Sequence, residues 1–220
     1  MPDYQIIMAI ANPIHPSALL FMRTHPTSTL LCVVDIQERL LGVMPAGASI
    51  VNGAHRLAAG ARLLGVRSVL FEQYPKGLGP TPAKLASLLP PPLIKMSLSG
   101  CGCEAFCSTI DATIVSGVDP AVSHTPSSSA ITTAVLCGLE THVCITQTAL
   151  DLLARGLIVF IAVDSVGSRH TLDHDVGLRR LEAAGAILTT SEAVLFEWCG
   201  SAEHPQFQAV RNLVLERVAP

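Results

Sequence analysis

Charge is scarce in this sequence. Only 14% of its 220 residues are Asp, Glu, Lys or Arg, and lysine occurs three times, at Lys76, Lys84 and Lys95. The 14 basic side chains are scattered and the formal net charge is -3. No basic face or tail suited to phosphates can be drawn, so a nucleic-acid partner is not expected. Also lacking is any apolar run near the roughly 20 residues that span a bilayer, so no membrane partner is expected either. The stretch up to about Ser28 has no basic region ahead of an unbroken apolar core, and Pro2, Pro13, Pro16 and Pro26 interrupt it. A secretory leader is therefore not expected. Arg23 is its only basic residue, which supports a mitochondrial transit peptide only weakly. The expectation is a cytoplasmic protein with a variable arm over residues 1–28 and one domain over residues 29–220.

Apolar residues, by contrast, make up half of the chain, and the mean hydropathy is +0.49. Such an excess suits a parallel sheet buried on both faces, and it also points to apolar surface covered by another subunit. The seven cysteines are an odd number; without a secretory leader they read as free thiols in a reducing compartment. Cys32 and Cys137 lie inside apolar runs and read as small core residues.

Strand-like and helix-like segments alternate. Strands are expected at Leu30–Asp35, Arg67–Glu72, Leu93–Met96, Ile131–Leu139, Ile158–Asp164 and Ala186–Thr189. Helices are expected at Asn52–Leu64, Thr81–Leu89, Val143–Ala154, Leu172–Ala184, from Ser191, and at Pro205–Arg217. Between Gly100 and Ala130 a short helix near Cys103–Thr109 should give way to a loop inserted in the domain. Alternation of this kind implies parallel strands, right-handed crossovers and helices on both faces of the sheet. Ligands then bind beyond the C-terminal strand ends, where Asp35, Glu72, Lys95, the Gly138–Cys144 turn and Asp164 should collect.

Gly138-Leu139-Glu140-Thr141-His142-Val143-Cys144 joins a strand to a helix through a tight turn. A cysteine in a first helical turn has N–H groups and the positive dipole end nearby, which favour the thiolate. The same N–H groups can hold an oxyanion, worth about 2.7–4 kcal/mol per donor. Taken alone, Cys144 is as well read as a buried helix residue. Asp35 and Lys95 each end an apolar strand, where an unpaired charge would be costly. In an arbitrary protein they would simply pair; beside a cysteine at a third strand end, the carboxylate can take the thiol proton and the ammonium can favour the charged states.

Four ordered segments carry a resemblance. They are Asp35-Ile36-Gln37-Glu38-Arg39, the stretch Glu72-Gln73-Tyr74-Pro75-Lys76-Gly77-Leu78-Gly79-Pro80-Thr81, Lys95 with Ser99, and Cys137 to Cys144. Together they resemble the isochorismatase-like cysteine hydrolase superfamily, within it the isochorismatase domain-containing proteins, over about Leu30 to Arg211. The resemblance implies a three-layer αβα sandwich around a six-stranded parallel sheet. It implies an Asp35, Lys95, Cys144 triad, a cis peptide between Leu139 and Glu140, and oxyanion donation by the backbone N–H groups of Glu140 and Cys144. Gln73 and Tyr74 would line the pocket, and His142, two residues before the nucleophile, is a further candidate there that could equally point to solvent. The reaction implied is hydrolysis of a small amide or related acyl compound through a thioester. Isochorismate hydrolases proper cleave a vinyl ether without this nucleophile. Nicotinamidases of the superfamily carry an Asp-x-His metal cluster near the second strand, whereas this chain reads EQYPKGLG there, so neither a metal nor a cofactor is expected. The Gly100–Ala130 region is longer and richer in Ser and Cys than in relatives, and Leu98 stands where Phe is usual. A homo-oligomer is expected, and the alternative is a non-catalytic or regulatory interaction protein on the same fold.

Other motifs carry less. Cys101, Cys103 and Cys107 offer three thiols, but a structural zinc site wants four ligands. His170, His174 and Asp175 share one helical face and read as a solvated helix start.

Overall fold

Short leucine-, valine- and isoleucine-rich runs form a six-stranded sheet in the computed structural model, which describes residues 22–115 and 130–216. The strands are β1 (Thr29–Val34), β2 (Arg67–Gln73), β3 (Leu93–Lys95), β4 (Thr133–Leu139), β5 (Ile158–Gly167) and β6 (Ile187–Thr189). They lie in the order β3-β2-β1-β4-β5-β6, and every neighbouring pair is parallel.

Pleating sends alternate residues to opposite faces, and both faces are covered. From β1, Leu31 and Val33 enter one core with Leu57, Val194, Trp198 and Val210, while Leu30, Cys32 and Val34 enter the other with Phe106, Ile110, Ile145, Leu152 and Leu181. The first core is closed by α2 (Gly47–Leu64), α8 (Ser191–Cys199) and α9 (Phe207–Leu215). The second is closed by α5 (Glu104–Val115), α6 (Thr146–Ala154) and α7 (Thr171–Ala183). Short helices α1 (Glu38–Leu41), α3 (Pro75–Leu78) and α4 (Ala83–Ala86) fill the remaining connections. The expected three-layer αβα sandwich is therefore present.

Strand order reverses between β1 and β4, so helices after β1 and β4 fall on opposite faces, as right-handed crossovers require. The crevice opened at such a reversal is where open α/β sheets place ligands. Asp35 leaves β1 and the Cys144 turn leaves β4 at this point. Helix α2 also approaches β5 closely. A Cβ on Gly53 would sit 2.1 Å from Ser165 Oγ, and one on Gly60 would sit 2.0 Å from Leu195 Cδ2. At Gly53, where backbone of β5 is also close, only hydrogen fits; at Gly60 the neighbour is the flexible end of a leucine of α8.

Several boundaries differ from expectation. Helix α2 begins at Gly47 rather than Asn52, five residues earlier and still within a chain rich in Ala, Ile and Val. The Thr81–Leu89 helix is one turn, Ala83–Ala86, because Pro90, Pro91 and Pro92 leave no room to propagate it. Strand β5 runs on to Gly167 through a register shift against β4 between Leu136 and Gly138. Asp164 thus sits inside β5 rather than at its end. Its carboxylate accepts from Ser191 N at 2.8 Å and Ser191 Oγ at 2.5 Å, and pairs with Arg56 at 3.2 Å. It fixes the start of α8 and does not join the strand-end cluster.

Within the stretch read as an arm, Thr24 N and Oγ1 donate to Glu197 Oε2 at 2.7 and 2.8 Å. Residues 1–21 of that arm, and residues 116–129 of the expected loop, lie outside the described residues. Among the described residues no helix is long and apolar enough to cross a membrane.

Candidate active site

Three strand ends converge. Lys95 closes β3, in register with Gln73 of β2, and Asp35 follows β1. Asp35 takes up left-handed backbone, φ 53°, a conformation its short polar side chain tolerates. Its N–H donates to Phe71 O at 3.1 Å and its carbonyl accepts from Gln37 N at 2.9 Å. These bonds turn the carboxylate inward while the chain leaves the sheet.

Asp35 and Lys95 form an ion pair of 2.7 Å, with both side chains wholly shielded from solvent. Lys95 Nζ also donates to Gln73 Oε1 at 2.7 Å and to the carbonyls of Ser97 and Leu98, each at 3.3 Å. The ammonium is thus held from several sides, which offsets part of its desolvation. Asp35 Oδ1, in contrast, is buried without a hydrogen-bond partner. No nitrogen or oxygen donor fills that position, and the Cys144 thiol is the neighbour within hydrogen-bonding range of the carboxylate.

Cys144 is buried beside both groups. Its thiol is pushed up to about 12, first by burial, next by the Asp35 charge, with Lys95 opposing. Burial and the neighbouring carboxylate thus act against the thiolate that the turn was expected to favour. Asp35 is likewise raised, by burial above all, with Lys95 lowering it.

The turn itself is unusual. Gly138 has φ 133°, and a Cβ there would lie 1.9 Å from Val34 O, so β4 approaches β1 through a residue without a side chain. The Leu139–Glu140 peptide is cis. Instead of an α-helix from Val143, a π turn spans Thr141–Ile145, and α6 begins at Thr146. Ile145 N donates to Glu140 O at 3.2 Å, and Thr146 Oγ1 to Thr141 O at 2.6 Å. Such wide turns recur at functional sites.

The other expected residues surround this centre at different distances from it. Gln73 bridges Lys95 and Met96, donating from Nε2 to Met96 O at 2.9 Å. Tyr74 has φ 38°, a strained value for a bulky residue, and is half exposed, its ring against Gly77. His142 is partly exposed, with Nδ1 3.0 Å from Ser168 Oγ and Nε2 4.0 Å from Asp173 Oδ2. Glu72 is occupied elsewhere, accepting from Thr81 N at 2.7 Å.

Further contacts support the site, some through residues for which the sequence suggests another place or no role. Gln37, fully buried, accepts from Gln73 N at 2.9 Å and donates to Gln73 O at 3.1 Å and Gly79 O at 2.6 Å. It locks the end of β2, and thereby Gln73, in place. Glu140 receives Arg169 N at 3.1 Å and Nε at 3.0 Å. His174, expected on a solvated face, instead contacts Thr141 Oγ1 through Nδ1 at 2.9 Å. The reason is the tight seat of α7, where a Cβ on Gly177 would come 3.2 Å from His142 Cα. Gln37 carried a usable signal, a polar residue two positions beyond a functional aspartate; Arg169 and His174 carried none, since only tertiary packing brings them to the turn.

Among the described residues no group of three or more His, Cys, Asp or Glu is placed to hold a metal ion.

A family model described as the Isochorismatase domain matches residues 29–193. Isochorismatase domain-containing protein 2 from Bos taurus is 40% identical over 194 residues, covering 88% of this chain and 86% of that protein. Isochorismatase domain-containing protein 1 from Salmo salar is 35% identical over 202 residues, 92% of this chain but 66% of that protein, so the chain spans about two thirds of that relative's length. Among solved structures, a Caenorhabditis elegans protein described as MAR1 ribonuclease shares 34% identity with a TM-score of 0.77, covering 90% of this chain and 95% of that one. The YcaC gene product of Escherichia coli, described as an octameric hydrolase of unknown specificity, is 20% identical and shares the fold, with a TM-score of 0.71 over 89% of this chain and 96% of that one. Strand order, matched span and sequence identity agree, and the chain belongs to the isochorismatase domain family, with that family's α/β fold.

Proposed function

We propose that the protein is a metal-independent cysteine hydrolase of a small amide or related acyl compound, with Cys144 as nucleophile. The observation that carries this reading is a buried Asp35 carboxylate with one oxygen held by Lys95 and the buried Cys144 thiol within hydrogen-bonding range. A protonated thiol next to an ionised carboxylate is a nucleophile and its base in the resting arrangement.

The steps follow from those positions. Asp35 takes the proton as Cys144 sulfur bonds to the substrate carbonyl carbon. The carbonyl oxygen becomes an oxyanion, received by the backbone N–H groups of Glu140 and Cys144. Collapse breaks the C–N bond, and the leaving amine takes the proton from Asp35. Water then gives a proton to Asp35 and attacks the thioester, and the sulfur departs with that proton. The Lys95 charge beside both groups favours the Asp35 carboxylate before the proton moves and the anionic intermediate after it. Gln73, Tyr74 and His142 would shape the substrate pocket.

A panel of small primary and secondary amides, assayed by amine release and by intact mass for an acyl-enzyme, tests the reading. A covalent adduct lost in Cys144→Ser is expected. Turnover that survives Cys144→Ser would overturn it.

A second reading, a non-catalytic oligomeric interaction protein, draws on the exposed apolar side chains Tyr74, Ile94, Met96 and Leu98 close to the site. It predicts a Cys144 that forms no acyl adduct with any amide while the assembly remains intact. The ribonuclease description of the nematode protein suggests a third test: RNA binding that weakens steeply with salt would contradict the expectation drawn from a net charge of -3.

A further inference from the structure

Three thiols take no part in the chemistry above. Cys101, Cys103 and Cys107 follow β3, are all free and are all partly exposed. Cys101 sits in the tight turn Gly100–Gly102, and Cys107 in the second turn of α5, its N–H bonded to Cys103 O. The Cys107 thiol donates to Cys101 O at 2.9 Å, and the two sulfurs are within interaction range of each other. Burial, then Cys107, then Asp151 push the Cys101 thiol up to about 12. Cys101 is thereby held in its thiol form, and the first attack is assigned to Cys107.

What makes the pair consequential is its attachment to Lys95. Cys101 N donates to Ser99 Oγ at 3.1 Å, Ser99 Oγ to Asp151 Oδ2 at 2.6 Å, and Gly100 N to Thr148 Oγ1 at 2.8 Å. Ser97 Oγ donates to Ser99 O at 2.7 Å, and the carbonyls of Ser97 and Leu98 receive Lys95 Nζ. Residues 97–101 are thus a strap with Lys95 at one end and the dithiol at the other.

We propose that Cys101 and Cys107 form an oxidisable dithiol, a modification site for hydroperoxides, whose closure to a disulfide loosens the strap behind Lys95. The Cys107 sulfur attacks the outer oxygen of a hydroperoxide; the O–O bond breaks, the alcohol or water leaves, and Cys107 becomes a sulfenic acid. The Cys101 sulfur then displaces hydroxide from that sulfur, forming the S–S bond, and the hydroxide leaves as water with the Cys101 proton. Two thiols and one hydroperoxide give one disulfide, one alcohol or water, and one water. Closing the bond takes the Cys107 thiol from the Cys101 carbonyl and turns the Cys101 side chain toward α5, which strains the Cys101–Ser99 link.

The test uses the full chain with Cys144→Ser, so that the proposed nucleophile cannot consume oxidant and the result does not depend on turnover. The protein is treated with hydrogen peroxide, its remaining thiols are alkylated, and its peptides are mapped with and without dithiothreitol. Cys101 and Cys107 are expected to vanish from alkylation together, as one linked pair, and to return on reduction. Amide exchange of residues 97–101, read by mass spectrometry, should quicken several-fold in the oxidised form. Cys107→Ser should abolish both effects, whereas Cys103→Ser should leave them. Thiols that stay alkylatable, a link requiring Cys103, or a Cys101–Cys107 link with unchanged exchange would each overturn the proposal.

Discussion

At Asp35, burial and Lys95 act in opposite directions, and burial is the larger, so the carboxyl holds its proton above the usual carboxylate range. As a general base it works only when ionised. Turnover should therefore rise with pH through the raised Asp35 value, the acid limb lying above the ~3.9 of a free aspartate. Stability takes the opposite sign. A folded-state pKa above the unfolded one means that the native chain binds more protons between the two. The Asp35 contribution is complete below the ordinary aspartate value and is lost as pH rises through the raised one. Urea midpoints for wild type minus Asp35→Asn should fall across the mildly acidic window in which activity climbs. A difference independent of pH would show that Asp35 ionises no differently in the folded chain.

Asp35→Asn separates the base from the nucleophile at the same scale. The Asp35 charge raises the Cys144 thiol while Lys95 lowers it. Removing the carboxylate takes away the second of the raising influences and leaves Lys95 opposed by burial alone, so iodoacetamide should label Cys144 several-fold faster at neutral pH. Turnover should nevertheless drop by about 10²–10⁴, the usual loss when a general base is removed. Faster labelling with lost activity would be hard to obtain from misfolding. Slower or unchanged labelling would remove Asp35 as the neighbour that controls the thiol.

At the scale of elements, the site depends on how closely β4 and β1 pass at Gly138. With φ 133° and Val34 O 1.9 Å from where a Cβ would stand, Gly138→Ala meets both backbone strain and collision with backbone atoms that cannot yield cheaply. A loss on the order of 3 kcal/mol is expected in urea unfolding, among the larger effects of single substitutions. A near-neutral result would mean that the turn can relax without the β1–β4 register. Gly138 also illustrates what was legible in the sequence. A glycine ending a β-branched run announced a turn, and Asp35, Lys95 and Cys144 stood out as polar residues ending apolar strands, so their convergence followed from parallel topology alone. Asp164 looked identical to these by that criterion and is not one of them, because a register shift carries β5 three residues further. The π turn at Thr141–Ile145 was invisible for a related reason: its apolar spacing matches the start of an α-helix, and only the hydrogen bonds to Glu140 and Thr141 carbonyls distinguish the two. Arg169 and His174 reach the turn through the seating of α7, a contact between elements that no local pattern encodes.

At the scale of the whole molecule, the surplus of apolar residues is not used up by the two cores. Met96 is 70% exposed and Leu172 71%, while Ile94, Leu98, Tyr74 and Val176 are about half exposed. Ile94 lies in β3, Met96 and Leu98 follow it, and Tyr74 follows β2, so all four come from the edge of the sheet. Edge strands are usually blunted by charge or bulges; here β3 is only three residues long and its outward residue is isoleucine. Covering such a surface with another copy gains about 25 cal/mol per Å² of apolar area. A stable interface needs about 800 Å² per partner, more than four side chains supply, so neighbouring backbone must contribute. Met96→Glu should then lower the sedimenting mass in analytical ultracentrifugation while leaving the circular dichroism of the fold intact, since Met96 is 70% exposed and its bond to Gln73 is made by the backbone carbonyl. That carbonyl bond ties the interface to the site: Gln73 holds both Met96 and Lys95, so a partner pressing on Met96 would stiffen the support of the ammonium. Dissociated Met96→Glu protein is accordingly expected to label Cys144 at a different rate from the assembled wild type. A wild type that sediments as a monomer, or a variant with unaltered mass, would return this edge to ordinary exposed surface.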